Sequence, residues 1–323
     1  MIKKVVFNDN ITYEPINQEK INMFKKFNIE YIGRDCKSEA DFIKYAKEAN
    51  IIYDQGFTKI TKKVLENLPK LEAIVIRRIT YDDIDYKAAA ELGICVSNTP
   101  GFCADEVSTH IVALLLSFIR NIPKNHNLIQ RGGWNKNKQE QVSVGIETIL
   151  GENIGIIGFG NIGKMLAEKL NPFKAYIFVY DPYAEINEKK YNVKDMSLNW
   201  IIKECKYIII ICPLTDETMN MFDEEQFRLM RKDAVIINAG RGKLINEKVL
   251  IKYLNDNKIV GAALDVFEEE PINKDNPLLK MDNVILSPHI AWVSPKVKPL
   301  SFKMGFDEII RIATGKKPMY RIN

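Results

Sequence analysis

The sequence contains few of the residues that form disulfide frameworks and zinc sites. Among its 323 residues are five cysteines and three histidines. The number of cysteines is odd and the chain has no C-x-x-C pair, a pattern that fits neither a set of disulfides nor a structural zinc site. We therefore predict a protein without a metal, kept in the reducing environment of the cytoplasm.

Long apolar runs and a surplus of one charge are also absent. No stretch approaches the roughly 20 apolar residues needed to cross a bilayer, and the first apolar run, residues 5–7, is too short for a signal peptide. The 46 basic and 42 acidic side chains are spread along the chain, so a net charge of +4 gives little support to nucleic-acid binding. We expect neither a membrane nor a nucleic acid as partner.

Short β-branched runs alternate instead with amphipathic stretches almost from end to end. The first of these runs are residues 5–7, 50–53 and 73–76. This alternation is typical of βαβ units, in which helices connect parallel strands. Because 323 residues exceed what one hydrophobic core usually organises, we predict two α/β domains.

A second series of strands follows a predicted domain crossing. The crossing lies at residues 97–101, which include Pro100 and Gly101 and precede a predicted helix over residues 104–120. The last predicted helix, at about residues 298–314, is left over once the second sheet is complete, and we expect it to pack on the first domain. Six predicted strands form a doubly wound parallel sheet: residues 153–157, 176–180, 207–211, 234–238, 260–264 and 284–286.

A glycine-rich turn follows the first strand of that second series. Gly158, Gly160 and Gly163 form a G-x-G-x-x-G pattern between a strand and a helix. In this context the first glycine permits a tight turn, the second lets the backbone approach a pyrophosphate, and the helix start attracts the phosphates. Asp181 ends the next strand, where a carboxylate would bind ribose hydroxyls and repel a 2′-phosphate. The pattern predicts a site for NAD rather than NADP; an ordinary turn and a turn aspartate are the alternatives.

Three polar residues lie beyond strand ends of the second series or in the loops after them, where open α/β sheets bind ligands. Arg241, between two glycines, has a guanidinium suited to bidentate binding of a substrate carboxylate. His289 has an imidazole whose ordinary pKa of about 6.5 suits proton exchange with a hydroxyl, and Glu270 could orient that ring and stabilise its cation. His110 and His126 have structural explanations, because one lies on the long helix and the other in a polar stretch. We predict Arg241, Glu270 and His289 as the catalytic residues.

Several separate motifs, in the same order, resemble the D-isomer-specific 2-hydroxyacid dehydrogenase family over nearly the whole chain. The resemblance implies an NAD-dependent enzyme that interconverts a small D-2-hydroxy acid and its 2-oxo acid. It also implies a Rossmann-type sheet at residues 99–286, inserted in a smaller flavodoxin-like α/β substrate domain of residues 1–98 and 287–323, with homodimerisation through the inserted domain. Besides the glycine turn, the motifs are C-P-L-T from Cys212 with Thr218, N-A-G-R-G from Asn238, G-A-A-L-D-V from Gly261, Glu270 with Pro271, and S-P-H-I-A from Ser287.

The resemblance also implies roles for particular residues. Arg241 would bind the carboxylate and polarise the carbonyl, His289 would be the acid/base, and Glu270 would pair with it. Formate dehydrogenases resemble this pattern but have an amide in place of the glutamate, so Glu270 favours proton chemistry and argues against formate. The expected NAD contacts are Gly158, Gly160, Asn161, Ile162, Gly163, Asp181, Cys212, Pro213, Thr218, Ala239, Gly240, Arg241, Asp265 and His289.

One loop departs from the family pattern. We expect Arg78, Ile79 and Thr80 to bind substrate together with Arg241 and His289, but relatives usually have glycine where Thr80 stands. Threonine tolerates positive φ poorly. Either this loop has a different backbone conformation from that of the relatives, or the relatives' conformation does not require glycine. Arg78 adds a charge for a phosphorylated or dicarboxylic substrate in one interpretation and faces solvent in the other.

The substrate and the class of activity have alternatives at this point. The tryptophan at position 292, directly after the S-P-H-I-A motif, is similar to the pattern of glycerate dehydrogenases or hydroxypyruvate reductases. Residues 102–107 instead resemble phosphoglycerate dehydrogenase-like members. The same family includes transcriptional corepressors that use the fold as an NAD-sensing dimer without turnover. The intact Arg241, Glu270 and His289 favour the enzyme.

Overall fold

The computed structural model describes residues 4–9, 16–56, 58–134 and 145–323. It divides into two compact units, Met1–Phe102 with Ser294–Asn323, and Cys103–Val293. Both divisions lie a few residues later than the predicted boundaries at 98/99 and 286/287. The second lies later because the loop after the last strand stays tied to the second unit, where the His289 N–H donates to the Asp265 carbonyl at 2.8 Å.

The first unit contains a sheet of five parallel strands. They are β1 (Lys4–Asn8), β2 (Ile29–Gly33), β3 (Ile51–Asp54), β4 (Ala73–Ile76) and β5 (Cys95–Ser97). Along the chain they alternate with α1 (Gln18–Lys26), α2 (Glu39–Ala46), α3 (Lys62–Glu66) and α4 (Tyr86–Glu91). The strand order β2-β1-β3-β4-β5 is that of flavodoxin-like sheets. The predicted fold of the smaller domain is confirmed.

The central strands of this sheet are buried along their whole length. Every residue of β3 and β4 is buried, as expected for parallel strands that helices cover on both faces. Phe42 of α2 and Val64 of α3 belong to the core on one face, and Phe24 of α1 belongs to the core on the other. The apolar runs at β3 and β4 are continuous because these strands are buried on both faces of the sheet.

The second unit begins with α5 (Ala104–Ile119) and α6 (Ile122–Gln130). Its strands are β6 (Asn153–Ile157), β7 (Tyr176–Tyr180), β8 (Lys194–Asp195), β9 (Tyr207–Ile210), β10 (Val235–Asn238), β11 (Gly261–Leu264) and β12 (Val284–Leu286). Its further helices are α7 (Asn161–Leu170), α8 (Glu188–Tyr191), α9 (Leu198–Glu204), α10 (Glu224–Leu229) and α11 (Glu247–Asn255). The parallel order β12-β11-β10-β9-β6-β7-β8 is the Rossmann order with one more strand at an edge, which confirms the predicted fold.

One strand of this sheet was not among the six predicted. The two residues of β8 pair with Phe178 and Val179 of β7 at the sheet edge. Two residues are too few to show the period-two pattern by which strands are identified. The other six strands lie within one residue of their predicted bounds.

The last helix, α12 (Val297–Ala313), belongs to the first unit. Phe302, Phe306 and Ile309 are buried in the same core as Phe24, and the rings of Phe24 and Phe306 stack with centroids 4.1 Å apart. The predicted helix at about residues 298–314 is present. The first unit is therefore built from two separate segments of chain.

The described residues lack both a helix that could span a membrane and a cluster of histidine, cysteine or acidic side chains that could hold a metal ion. None of its helices has the length and apolarity needed to span a bilayer. No group of three or more histidine, cysteine, aspartate or glutamate side chains within it is arranged to hold a metal ion. Burial raises the pKa of four thiols to about 12, so they stay protonated at neutral pH: those of Cys36, Cys103, Cys205 and Cys212.

Candidate active site

The glycine turn lies between β6 and α7. Gly158 has a φ of 100°, and a Cβ on it would lie 2.7 Å from the backbone nitrogen of Cys212. A Cβ at Gly163 would lie 2.4 Å from the Gly158 carbonyl oxygen, so the helix packs directly on the turn. A Cβ at Gly160 would meet no described atom within 4 Å, which leaves space for a phosphate at the start of α7. The turn therefore has the shape that a pyrophosphate requires.

Asp181 follows β7 directly, and its carboxylate is held against the glycine turn. Oδ2 accepts a hydrogen bond from the Phe159 N–H at 2.7 Å. Oδ1 accepts from the N–H groups of Tyr183 and Ala184, each at 3.0 Å. These bonds fix a carboxylate beside the phosphate-sized space, so the residues present fit a dinucleotide.

The loop after β9 lies behind the same turn. A Cβ on Gly158 would strike the backbone of Cys212, which begins this loop. Thr218 closes the loop, because its hydroxyl donates to the Pro213 carbonyl at 2.7 Å and accepts from the Thr215 N–H at 2.8 Å. The structure thus brings Cys212 to the glycine turn and fixes Pro213 and Thr218 in one ordered loop.

Arg241 lies in a tight loop at the end of β10. Asn238 holds this loop, because its side-chain nitrogen donates to the Arg241 carbonyl at 2.8 Å and its side-chain oxygen accepts from the Gly240 N–H at 3.0 Å. A Cβ on Gly242 would lie 1.8 Å from the carbonyl oxygen of Phe267. The close approach at Gly242 is therefore to the protein's own backbone, and it places the Arg241 loop against the loop that carries Glu270.

Glu270 and His289 form a direct pair. His289 Nδ1 lies 2.6 Å from Glu270 Oε2, and Glu270 Oε1 accepts from the Phe267 N–H at 3.0 Å. Burial acts to raise the pKa of Glu270, but the hydrogen bonds from His289 and Phe267 and the charges of His289 and Arg241 outweigh it. The net pKa lies below the ordinary 4.5. A carboxylate that stays ionised at neutral pH thus orients the ring.

The backbone of His289 is in the left-handed region, with a φ of 52°. This conformation is uncommon for a residue with a Cβ and is retained only where neighbours enforce it. The His289 N–H donates to the Asp265 carbonyl at 2.8 Å, and the His289 carbonyl accepts from the Trp292 indole N–H at 3.1 Å. Both backbone groups of the residue are therefore held by the second unit.

Asp265 is 1% exposed, and its carboxylate is bound by the protein itself. Oδ1 accepts from the Ser287 hydroxyl at 2.6 Å and from the Ile290 N–H at 3.0 Å, and Oδ2 accepts from the Ala291 N–H at 2.9 Å. His110 Nε2 lies 3.0 Å from the Ser287 hydroxyl oxygen. Ser287 was not predicted to have a role of its own, although a small polar residue between a strand end and a candidate catalytic histidine was a usable signal.

A comparison with known proteins identifies the family to which this site belongs. Residues 112–291 match the model of the D-isomer specific 2-hydroxyacid dehydrogenase, NAD binding domain. The chain belongs to the D-isomer-specific 2-hydroxyacid dehydrogenases. This dehydrogenase is 33% identical over 287 residues to a glyoxylate reductase of Korarchaeum cryptofilum, a match that covers 88% of the chain and 86% of that protein.

Two further relatives of the dehydrogenase extend the comparison. It is 36% identical over 305 residues to a D-3-phosphoglycerate dehydrogenase of Methanocaldococcus jannaschii, covering 94% of the chain and 57% of that protein. It superposes on a Pyrococcus horikoshii OT3 protein of known crystal structure with a TM-score of 0.89 and 27% identity, covering 100% of the chain and 96% of the other. The family establishes a dehydrogenase that uses NAD and acts on 2-hydroxy or 2-oxo acids.

The loop of the dehydrogenase that departs from the family pattern is held by ion pairs. Arg78 Nη2 lies 2.7 Å from Asp54 Oδ2 and 2.6 Å from Asp83 Oδ1, and its Nη1 donates to the Thr80 carbonyl at 2.7 Å. The Ile79 carbonyl accepts from Asn98 Nδ2 at 2.6 Å. Thr80 is not among the described residues with positive φ, so the loop does not use the conformation that glycine would permit. The charge of Arg78 is neutralised within the first unit.

Proposed function

We propose that this dehydrogenase reduces a small 2-oxo acid to the D-2-hydroxy acid, and catalyses the reverse oxidation, with His289 as the acid/base. The 2.6 Å contact between His289 Nδ1 and Glu270 Oε2 carries the proposal. Because the carboxylate engages Nδ1, the other ring nitrogen, Nε2, exchanges the proton with substrate. Nε2 donates a proton to the oxo oxygen in reduction and accepts the hydroxyl proton in oxidation.

Glu270 and Arg241 complete the proposed machinery. Glu270, ionised because its pKa is lowered, orients the ring and stabilises the imidazolium form of His289. Arg241 binds the substrate carboxylate through its guanidinium fork and polarises the neighbouring oxo group. NADH held at the glycine turn from Gly158 to Gly163 would supply the hydride to carbon 2, and NAD held there would accept it in the reverse direction.

The cofactor preference follows from Asp181. We expect its carboxylate to accept hydrogen bonds from the ribose hydroxyls, while the open side of Gly160 and the start of α7 receive the phosphates. Two oxygens already fixed by backbone N–H groups would repel a 2′-phosphate. NAD is therefore the preferred cofactor over NADP.

The ion pairs of Arg78 favour a substrate with one negative charge. The loop from Arg78 to Thr80 is expected to contact substrate, but the guanidinium is bound by Asp54 and Asp83. Arg78 is then not available to bind the second negative charge of a phosphorylated or dicarboxylic acid. The name of the Korarchaeum relative, glyoxylate reductase, agrees with a small monocarboxylate, whereas that of the Methanocaldococcus relative favours a phosphorylated one.

A homodimer through the second unit is part of the proposal. Helix α6 buries none of its residues, and its Ile122 and Ile129 are 55% and 57% exposed. Trp134, just after the helix, is 65% exposed. Exposed apolar side chains on one helix and just after it suit a surface that another protein covers. Sedimentation equilibrium of the purified protein should give twice the mass of the chain.

The function is tested by NADH oxidation with a panel of 2-oxo acids. We expect turnover of glyoxylate, pyruvate or hydroxypyruvate, and at least about tenfold lower kcat/KM for phosphohydroxypyruvate and 2-oxoglutarate. Preference for a doubly charged acid would overturn the substrate class. Absence of turnover across the panel, with NADH still bound in a fluorescence titration, would overturn the proposed activity.

A further inference from the structure

A hydrogen-bonded chain connects helix α5 to the loop that carries His289. His110 Nε2, on α5, lies 3.0 Å from Ser287 Oγ, and Ser287 Oγ lies 2.6 Å from Asp265 Oδ1. His110 and Ser287 are partly buried, and Asp265 is buried almost completely. The three side chains come from α5, from the end of β11 and from the loop after β12, all within the second unit.

The chemistry of the three groups fixes the direction of this chain. A carboxylate only accepts hydrogen bonds, so the Ser287 hydroxyl proton points to Asp265. A hydroxyl has a single proton, so Ser287 Oγ accepts from its other neighbour, and His110 Nε2 is the donor. His110 must therefore carry a proton on Nε2, which also lies 3.5 Å from Asp265 Oδ1, and the chain runs from His110 through Ser287 to Asp265.

Asp265 connects this chain to the backbone of the histidine loop. Its carbonyl accepts from the His289 N–H at 2.8 Å, and its carboxylate accepts from the next two N–H groups, those of Ile290 and Ala291, at 3.0 and 2.9 Å. Three consecutive backbone donors thus end on one residue. A left-handed non-glycine residue costs about 1–3 kcal/mol unless its surroundings enforce it. Asp265 supplies that enforcement at His289.

We propose that His110 and Ser287 are positioning residues for the acid/base of the reaction. Together they fix the Asp265 carboxylate in the orientation that holds the His289 loop, and so direct the imidazole toward Glu270. The proposal rests on the proposed role of His289 and adds two residues that act through Asp265. A merely structural pair would affect the stability of the second unit and leave the His289 ring unchanged.

Paired substitutions separate positioning from general damage. Ser287→Ala and His110→Leu each remove one donor, whereas His110→Gln retains an Nε2–H group at similar reach and Ser287→Thr retains the hydroxyl. His126→Asn is the matched control, since His126 is an exposed histidine on the neighbouring helix α6. Histidine labelled with carbon-13 at Cε1 gives one resonance per ring, and with three histidines in the chain each is assigned from a single substitution.

We expect Ser287→Ala and His110→Leu to lower kcat by roughly tenfold or more with the KM for NADH changed by less than about twofold. Both should shift the His289 Cε1 resonance, and His110→Gln should recover most of the lost kcat. Wild-type kcat together with an unmoved His289 resonance in Ser287→Ala would overturn the proposal. If the wild-type enzyme reduces no 2-oxo acid, the proposed function fails, and the resonance alone then decides whether the chain positions His289.

Discussion

The carboxyl ends of the two parallel sheets use charged residues in opposite ways. At the first sheet Arg78 is bound by Asp54 and Asp83, and Asp54 has no exposed surface. At the second sheet His289 and Glu270 lie 2.6 Å apart but remain 38% and 34% exposed. An ion pair to a fully buried carboxylate maintains the loop around it, whereas a pair open to solvent can exchange a proton with a substrate. Exposure, rather than residue type, separates the pair that holds a loop from the pair that we propose to be reactive.

The pKa directions follow the same division. Burial and then the charge of Asp54 raise the pKa of Asp9, in the first unit, from 3.8 to about 7. Burial also raises the pKa of Asp54, against the opposing charge of Arg78. At Glu270 the pKa is lowered instead, because its hydrogen bonds and neighbouring charges exceed the effect of burial. Asp9, at the first sheet, therefore resists ionisation, whereas Glu270, at the second, remains ionised.

The largest expected effect is on turnover at the second sheet. His289→Asn removes the acid/base but keeps a residue type that tolerates positive φ, so we expect kcat to fall about 10²–10⁴-fold with little change in the free energy of unfolding. NADH oxidation and urea unfolding of the same preparation measure the two quantities. His126→Asn is the control. Retained turnover in His289→Asn would break the comparison, because the exposed pair would then not be the reactive one.

The opposite outcome is expected at the first sheet. Arg78→Met leaves Asp54 and Asp83 without their cation, and we expect a loss of about 3–5 kcal/mol in the free energy of unfolding. Lys62→Met breaks the exposed pair with Glu91 in the same unit and should cost nothing measurable. Urea unfolding followed by circular dichroism compares the two variants. Equal stability of Arg78→Met and wild type would show that the buried ion pairs do not maintain the fold.

A smaller effect is expected on the pH dependence of stability. Asp9 has a folded-state pKa of about 7 against an ordinary 3.8, so the folded chain holds a proton that the unfolded chain has released. The stability that this group contributes is complete below its ordinary pKa and is lost as the pH rises through about 7, by up to about 4 kcal/mol.

Asp9→Asn should remove that part of the pH dependence. The wild-type free energy of unfolding, relative to the variant, should fall between acidic and neutral pH. Glu66→Gln, the same acid-to-amide change at an exposed position on α3, should run parallel to wild type. Parallel curves for wild type and Asp9→Asn would mean that Asp9 titrates as an ordinary acid.

The smallest effect concerns cofactor choice. Asp181→Asn removes the negative charge and keeps one of the two acceptor oxygens, so we expect the ratio of kcat/KM for NADH to that for NADPH to fall about tenfold. Steady-state kinetics with both cofactors give the ratio. Asp195→Asn, at an exposed acid on β8 in the same sheet, is the control. An unchanged ratio would exclude Asp181 from cofactor discrimination.

Local sequence patterns were sufficient to predict six of the seven strands of the second sheet and the residues of the candidate site. The buried strands are continuous apolar runs, and polar residues that follow such runs must collect at one edge of a parallel sheet. That reasoning brought Glu270 and His289 together, and they lie 2.6 Å apart. Their catalytic roles remain predictions that the variants test.

Contacts between distant positions could not be predicted in the same way. Arg78 meets Asp54 because β3 and β4 pair in one particular register, with Asp54 opposite Ile76. His110 meets Ser287 across 177 positions of sequence, because α5 packs beside strands whose order becomes known only with the fold. The sequence around a single arginine or histidine does not indicate which distant residue it will contact. Such pairs depend on tertiary packing rather than on local pattern.

The two-segment construction of the first unit has a consequence for synthesis on the ribosome. The core around Phe24 is completed by Phe302, Phe306 and Ile309, which are added after the whole of Cys103–Val293. The apolar face around Phe24 in the nascent first unit therefore stays uncovered while the whole second unit is translated. During that interval they present the type of surface that chaperones bind. The unit whose synthesis begins first is thus the last to acquire its full set of residues.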